Sequence, residues 1–411
     1  MYRRLYFLAS PLLVLILVIG AGVHASGTTG GCSITVQPGH SIQSAIDRAS
    51  SGAIICMSAG IWEENITIDK PLTLRGAGSS RTCLYHGTEL GPIIRVESDR
   101  EIDVRIERLT VRGSQRKYEG VDLEEADSLT RMVAGFLARG ISAGRAVHVT
   151  IADSTVTLCE PAIFLGTRGE TPKRFEGHLS VVNSIISQSE CGLYMLGGYT
   201  SIVGSSFVEN DDTMRISSDG EIDAVDSHFD RNEGPIDIST HDYGSFTNCS
   251  ISQNSGFGVF IMTTRGVSIA NSRIENNGSV GVYAFAGQSA IINSRISGNA
   301  YDGIYAEYES EITITDCTIA ENGVIGWGGN GITIEDSAHV TLIGNYIVNN
   351  VGYGVALDEW LHPFTGYVIG HGNTLPRPSD ADGNGEGAVS PAELNFLMTS
   401  EGGELDRRAS P

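Results

Sequence analysis

Residues 267–286 read VSIANSRIENNGSVGVYAFA, and the way this stretch divides decides the fold. It holds three short runs of alternating apolar and polar residues, parted by Asn, Ser and Gly, and no run long enough for a helix. Runs of this kind, rich in Val, Ile and Tyr, are half-buried strands. The stretch is one copy among several. Ile274 belongs to the series Phe207, Phe229, Ile251, Ile274, Ile296, Ile319 and Ile347, with spacings of 22, 22, 23, 22, 23 and 28 residues. Three positions after each stands an asparagine: Asn210, Asn232, Asn254, Asn277, Asn299, Asn322 and Asn350. A period of this size means stacked supersecondary units. Three short strands per turn of about 22 residues predict an all-β, right-handed, single-stranded parallel β-helix. Each strand would pair with its counterpart one coil on, ~4.8 Å away.

In the strand after the asparagine, Val259, Val282, Ile304, Ile332 and Val355 form an inward apolar file. The asparagines are expected to take the left-handed bend between the second and third strands. Stacked one per coil, their amides would bond to those above and below.

The 411 residues carry a formal charge of −22, which argues against a nucleic-acid partner, since phosphate binding needs clustered Lys and Arg. Residues 1–25 read as a secretory signal: Arg3 and Arg4, an apolar run from Leu12 to Ile19, then Val23-His24-Ala25 at the cleavage site. The expected mature product is secreted, periplasmic or at the cell surface, with no membrane contact after cleavage; its oligomeric state stays open. Residues 26–372 would form the solenoid. Of the seven cysteines, Cys249 and Cys317 share a repeat position three coils apart, roughly 14 Å, too far to bridge. Cys159 with Cys191, near one turn on neighbouring coils, and Cys32 with Cys56, closing the first coil, are the candidate pairs.

A solenoid needs its ends covered. At the start, Ser41 can cap a short helix from Ile42 to Ala49, which would lay Ile42, Ala45 and Ile46 on the first coil. At the finish, residues 373–398 form a capping segment in which Ser390, Pro391 and Glu393 make a capping box before Leu394, Phe396, Leu397 and Met398. Residues 399–411 read as a disordered tail. The period breaks twice. From Val111 to Val156 the gap is 45, a degenerate coil or an insertion with a helix near Asp122 to Arg139; from Val156 to Ile186 it is 30 and includes Arg168, Lys173 and Arg174.

The opening segments ITVQPGHSIQSAIDRASSG (34–52) and GIWEENITIDKPLTLRGAG (60–78) resemble the first coils of the pectin-lyase-like superfamily. Within it the chain is most similar to NosD-like periplasmic proteins and CASH domains, which are carbohydrate-binding proteins and sugar hydrolases. The resemblance implies the β-helix fold and a carbohydrate partner, but no single activity. The superfamily's pectin methylesterase motifs and its alginate-epimerase Asp-Pro-His motif are missing from this sequence. Of the polygalacturonase pattern only Asp211-Asp212 and Gly370-His371-Gly372 occur, far apart. The histidines are scattered, which speaks against the copper connection of NosD.

Alternation also gives the outward positions. They run Tyr194, Arg215, Asp237, Phe260, Tyr283, Tyr305, Thr333 and Ala356, with Ser217, Ser239, Met262, Phe285, Glu307, Glu335 and Asp358 two residues on. Phe260, Tyr283, Phe285 and Tyr305 make an outward aromatic patch, and Trp327 on the 28-residue coil could sit above it. Aromatics flanked by carboxylates suit a glycan, so Tyr194, Phe260, Tyr283, Phe285, Tyr305, Glu307 and Trp327 are the candidate ligand-binding residues. For catalysis the cluster is Asp212, Arg215, Asp237 and His241. The resemblance implies how it would work: in lyases of the superfamily carboxylates hold calcium on a uronate while Arg or Lys takes the C5 proton. Asp380, Asp382 and Asn384 open like a calcium-binding loop, though position twelve is Pro391. The expectation is an exported polysaccharide- or cell-surface-glycan-binding β-helix or interaction scaffold without catalysis; the alternative is a calcium-dependent lyase or other enzyme acting on an acidic polysaccharide.

Overall fold

The computed structural model describes residues 31–85, 91–113, 140–144, 147–166, 175–239, 243–262, 264–323, 329–335, 337–358, 367–371 and 373. The described strands belong to one compact unit that begins at Cys32. They wind as the right-handed parallel β-helix that the period predicts.

One coil shows the plan. Thr264–Ala270 lies on a first face, Arg273–Glu275 on a second and Val282–Ala284 on a third. Each pairs in parallel with the same face of the next coil: Ile269 with Ile291, Ile274 with Ile296, Val282 with Ile304. Inward side chains therefore stack into files. Ile269, Ile274, Val282 and Ala284 are all fully buried, as are Ile291, Ile296, Ile304 and Ala306 one coil on. Each β-branched residue fills the interior against its copies above and below, at about 1.5–3 kcal/mol per buried side chain.

The second face is a separate 12-stranded sheet, whereas the first and third faces join into one of 24 strands among the described residues. The joint is made by Cys191–Val203 and Asp212–Val225, which run through the corner as single long strands. On these coils the expected three strands are therefore two.

The asparagine column forms as expected. Asn232 Nδ2 donates to Asn254 Oδ1 at 3.0 Å, Asn254 to Asn277 at 3.0 Å and Asn277 to Asn299 at 3.0 Å. Each Nδ2 also donates to a carbonyl on the preceding coil, as Asn277 does to Ile251 at 3.2 Å, and each Oδ1 takes a backbone N–H as well. Every amide is saturated, which is what lets it be buried. The left-handed bend, however, lies one residue earlier than the sequence suggests. It falls on Glu209, Arg231, Gln253, Asn276, Glu321 and Asn349, with φ between 56° and 60°. The ladder asparagines keep ordinary backbone so that their side chains can turn inward. A second column at the other bend, built from Ser205, Ser227, Cys249, Ser272, Ser294, Cys317 and Asn345, was not anticipated. It explains why Cys249 and Cys317 are buried thiols: they stand in for serine.

Cys32 and Cys56 are bonded, but Cys159 and Cys191 are not. Cys159 continues the asparagine column, its N–H donating to Ser189 Oγ and the Ser189 N–H to Asn210 Oδ1, and its Sγ lies 3.1 Å from the Thr157 carbonyl, while Cys191 sits two residues beyond Ser189 with Sγ against the Leu193 carbonyl. The two thiols serve different backbone groups. At the start, the helix Ile42–Arg48 is capped by Ser41 and buries Ile42, Ala45 and Ile46. Glu64, one coil on, takes hydrogen bonds from the Ser41 hydroxyl and from the Ile42 and Gln43 N–H groups. Val111 pairs directly with Val156, so the 45-residue gap holds an insertion within one coil, and residues 114–139 lie outside the described ones. The signal, the second long segment at 167–174 and the C-terminal capping segment and tail also lie outside them, except Asn373.

Candidate functional site

The third face carries the predicted outward row, and its register is as expected. Phe164, Tyr194, Arg215, Asp237, Phe260, Tyr283, Tyr305, Thr333 and Ala356 follow one another coil by coil. The row is open only in its middle. Phe164 is fully buried at one end, and Thr333 (2% exposed) and Ala356 (6%) at the other, with Glu335 also covered. Arg215 to Tyr305 lie between these covered ends, so Thr333, Ala356 and Glu335 are not the surface positions that alternation suggests.

Along the open stretch the aromatic residues pack on one another. Phe260 and Tyr283 stack at 5.3 Å and 20°, and Tyr283 and Tyr305 at 5.3 Å and 1°. Parallel strands one coil apart hold rings at stacking distance. The consequence corrects the expectation of an exposed apolar platform: the ring faces are covered by neighbouring rings, and these side chains are half-buried. Tyr283 donates its hydroxyl to Glu307, and Tyr305 donates to Glu335. Burial, then the hydrogen bond and charge of Glu307, push the Tyr283 phenol well above its usual range. Phe285 packs instead at a tilt on Tyr308, with centroids 4.2 Å apart, and Tyr194 stacks on Phe164 at 5.7 Å. The candidate ligand-binding residues that are described thus divide into a central Phe260–Tyr283–Tyr305 stack, with Glu307 at its rim, and two outlying pairs.

The charged cluster lies beside the stack. Arg215 Nη2 donates to Asp212 at 2.8 Å and its Nε is 3.9 Å from Asp237. Asp237 accepts from Ser239 at 2.5 Å. Burial raises the Asp237 carboxyl, against the opposing effects of Ser239 and Arg215. The arrangement supplies a hydrogen-bonding guanidinium, half exposed, next to a carboxyl inclined to hold its proton. His241, Trp327, Asp380, Asp382 and Asn384 lie outside the described residues. Among the described residues no group of three or more His, Cys, Asp or Glu could hold a metal ion.

Two further features escaped the reading of the sequence, which followed only the third face outward. On the first face His148, His178 and Tyr199 are successive register partners, with His rings 4.6 Å apart and His148 Nε2 2.7 Å from Glu101. On the second face a concavity of about 480 Å³ is lined by Arg81, Arg112, Cys83 and Ile61 among others. Tracing every outward row, as was done for one, would have shown both.

Residues 139–291 and 215–365 match the family model described as "Right handed beta helix region". Together these spans cover more than half of the 411 residues, and the chain belongs to that family. The fold is the right-handed β-helix that the resemblance to the pectin-lyase-like superfamily implies. No curated protein matches the sequence. Among solved structures, the chain is similar to the A-module of mannuronan C-5 epimerase AlgE6 from Azotobacter vinelandii, with 17% identity, TM-score 0.53, and coverage of 82% of this chain and 95% of that one. The AlgE4 A-module of the same organism gives 16% identity, TM-score 0.50 and the same coverages. A double mutant of the periplasmic alginate epimerase AlgG gives 12% identity, TM-score 0.54 and 84% of each chain. At these identities the likeness is one of fold.

Proposed function

We propose that the chain is an exported glycan-binding β-helix of the NosD and CASH kind, which holds a polysaccharide along the third face from Arg215 to Tyr305. The observation that carries this reading is the open middle of the row between covered ends, where Arg215, Asp237, Phe260, Tyr283 and Tyr305 come into line with Glu307 bonded to the Tyr283 hydroxyl. A linear ligand running along the coil axis meets equivalent positions at ~4.8 Å intervals, and ring edges, carboxylates and a guanidinium suit sugar hydroxyls. Solved structures sharing the fold include epimerases named for mannuronan and alginate, in keeping with a polysaccharide partner.

The alternative, calcium-assisted lyase chemistry on Asp212, Arg215, Asp237 and His241, needs a base. Arg215 is held against Asp212 and Asp237, where its guanidinium offers N–H donors and no acceptor for a proton. This favours binding over turnover. The test is a glycan array with the mature protein, followed by retention measurements on the best ligand. The double variant Tyr283→Ala/Tyr305→Ala and Arg215→Gln should each weaken retention about tenfold or more. Unchanged retention in both would end the proposal. Unsaturated product appearing from polyuronates with calcium would replace binding by lyase activity.

A further inference from the structure

The second-face concavity has a charge character at odds with the rest of the chain. Its described lining includes Arg81 and Arg112 but no Asp or Glu, in a sequence with 49 acidic residues against 27 basic ones. Elsewhere arginines are typically neutralised: Arg75 and Arg105 by Glu107, Arg273 and Arg295 by Glu275, Arg231 by Glu209. Arg81 and Arg112 are exposed, and their guanidinium groups have no hydrogen-bond or ion-pair partner among the described residues. Glu209, which reaches the lining residue Gln188, is itself engaged by Arg231.

Their backbone is fixed. Cys83 pairs with Thr110 and Tyr85 with Arg112, so the two arginines belong to adjacent coils. The Thr110 hydroxyl donates to the Ser79 carbonyl at 2.8 Å, and the Arg81 N–H to Gly78 at 2.9 Å, which braces the turn from which Arg81 projects. Beside them, Ile61 is 69% exposed, an apolar step at the rim. The Cys83 thiol is pushed up by burial but pulled back by the Arg112 charge, so the guanidinium is felt at the floor.

From this we infer a second binding site, distinct from the third-face row: Arg81 and Arg112 receive the oxyanion groups, carboxylate or sulfate, of an acidic polysaccharide. Guanidinium suits these groups because its N–H fork matches two oxygens of a planar or tetrahedral anion. Two guanidinium forks on neighbouring coils in a concavity, with no partner among the described residues and no competing carboxylate in the described lining, provide that match. Ile61 offers contact to the apolar face of a sugar ring.

The experiment titrates the full mature chain calorimetrically with polygalacturonate, dextran sulfate and inorganic sulfate at low and high salt. At least one polymer should bind, more weakly as salt rises. Arg81→Gln and Arg112→Gln should each cost about tenfold and the double variant more, while Arg231→Gln changes little. Tyr283→Ala/Tyr305→Ala should leave this binding intact, which separates failure here from failure of the third-face reading. Equal binding by the double variant, or no binding of either polymer, would overturn the site. Affinity for inorganic sulfate equal to that for the polymer, per anionic group, would overturn the polysaccharide as its occupant. A second readout needs no polymer. Cys83 should react with iodoacetate, relative to neutral iodoacetamide, several-fold faster in the wild type than in the double variant at low salt. The ratio cancels any change in thiolate fraction, so equal ratios would show that no positive field exists there.

Discussion

Asp237 is the residue at which charge is hardest to keep on the open row. Burial raises its carboxyl, Ser239 and Arg215 oppose the rise, and Asp212 adds to it. A carboxyl raised in the folded state binds its proton more tightly there than in the unfolded chain. Stability should therefore fall as pH climbs from the ordinary carboxylate value, about 4, through the raised folded value. Urea midpoints measured across this range should show that step in the wild type and lose it in Asp237→Asn, so that the variant gains on the wild type as pH rises. Parallel profiles would show that the carboxyl is not perturbed. At this same scale the sequence was readable for side-chain direction and poor for backbone. The outward places of Tyr283 and Tyr305 followed from period-two alternation. The left-handed bends at Glu209, Arg231 and Gln253 did not, because nothing in those residue types favours such a conformation; the stacked geometry imposes it.

Columns are the elements that make one coil answerable to the next. Asn277 takes two hydrogen bonds from Asn254, donates to Ile251 and Asn299, and is buried with all of them. Replacing it by alanine strands two donors and an acceptor on the preceding coil and takes a donor from Asn299 on the next. Asn277→Ala should thus cost about 2–4 kcal/mol, well above a typical surface change. Asn277→Ser, copying the serines of the other column, should cost less. Denaturant unfolding would check both, and a neutral alanine variant would mean that water replaces the amide. The glycine four residues on has an equally physical role. A Cβ on Gly281 would stand 2.6 Å from the Gly303 carbonyl and 2.8 Å from Asn299 Nδ2, so the column and the third-face strand meet only where no side chain intervenes. The repeated asparagines announced the first column. The serine and cysteine column stayed hidden because its members change identity while doing one job.

For the whole molecule, the period settled coil, face and register, and it missed what depends on the corners. The continuous strands Cys191–Val203 and Asp212–Val225 and the unpaired state of Cys159 and Cys191 both come from local turn geometry that a repeat does not encode. The thiols offer a test of the assembled molecule. Cys159, Cys191, Cys249 and Cys317 are buried and Cys83 is partly exposed, so the native protein should label quickly at one cysteine and the unreduced, unfolded chain at five. Three labels on unfolding would restore the Cys159–Cys191 bridge.

The aromatic stack carries a consequence for discrimination. Rings that spend their faces on one another offer a visitor only rims, ordered phenol oxygens and carboxylates at fixed heights. Little grease is available to reward any sugar indiscriminately, and a misplaced hydroxyl leaves a polar partner stranded. If a glycan binds here as proposed, such a surface should tell epimers apart better than it tells short chains from long ones.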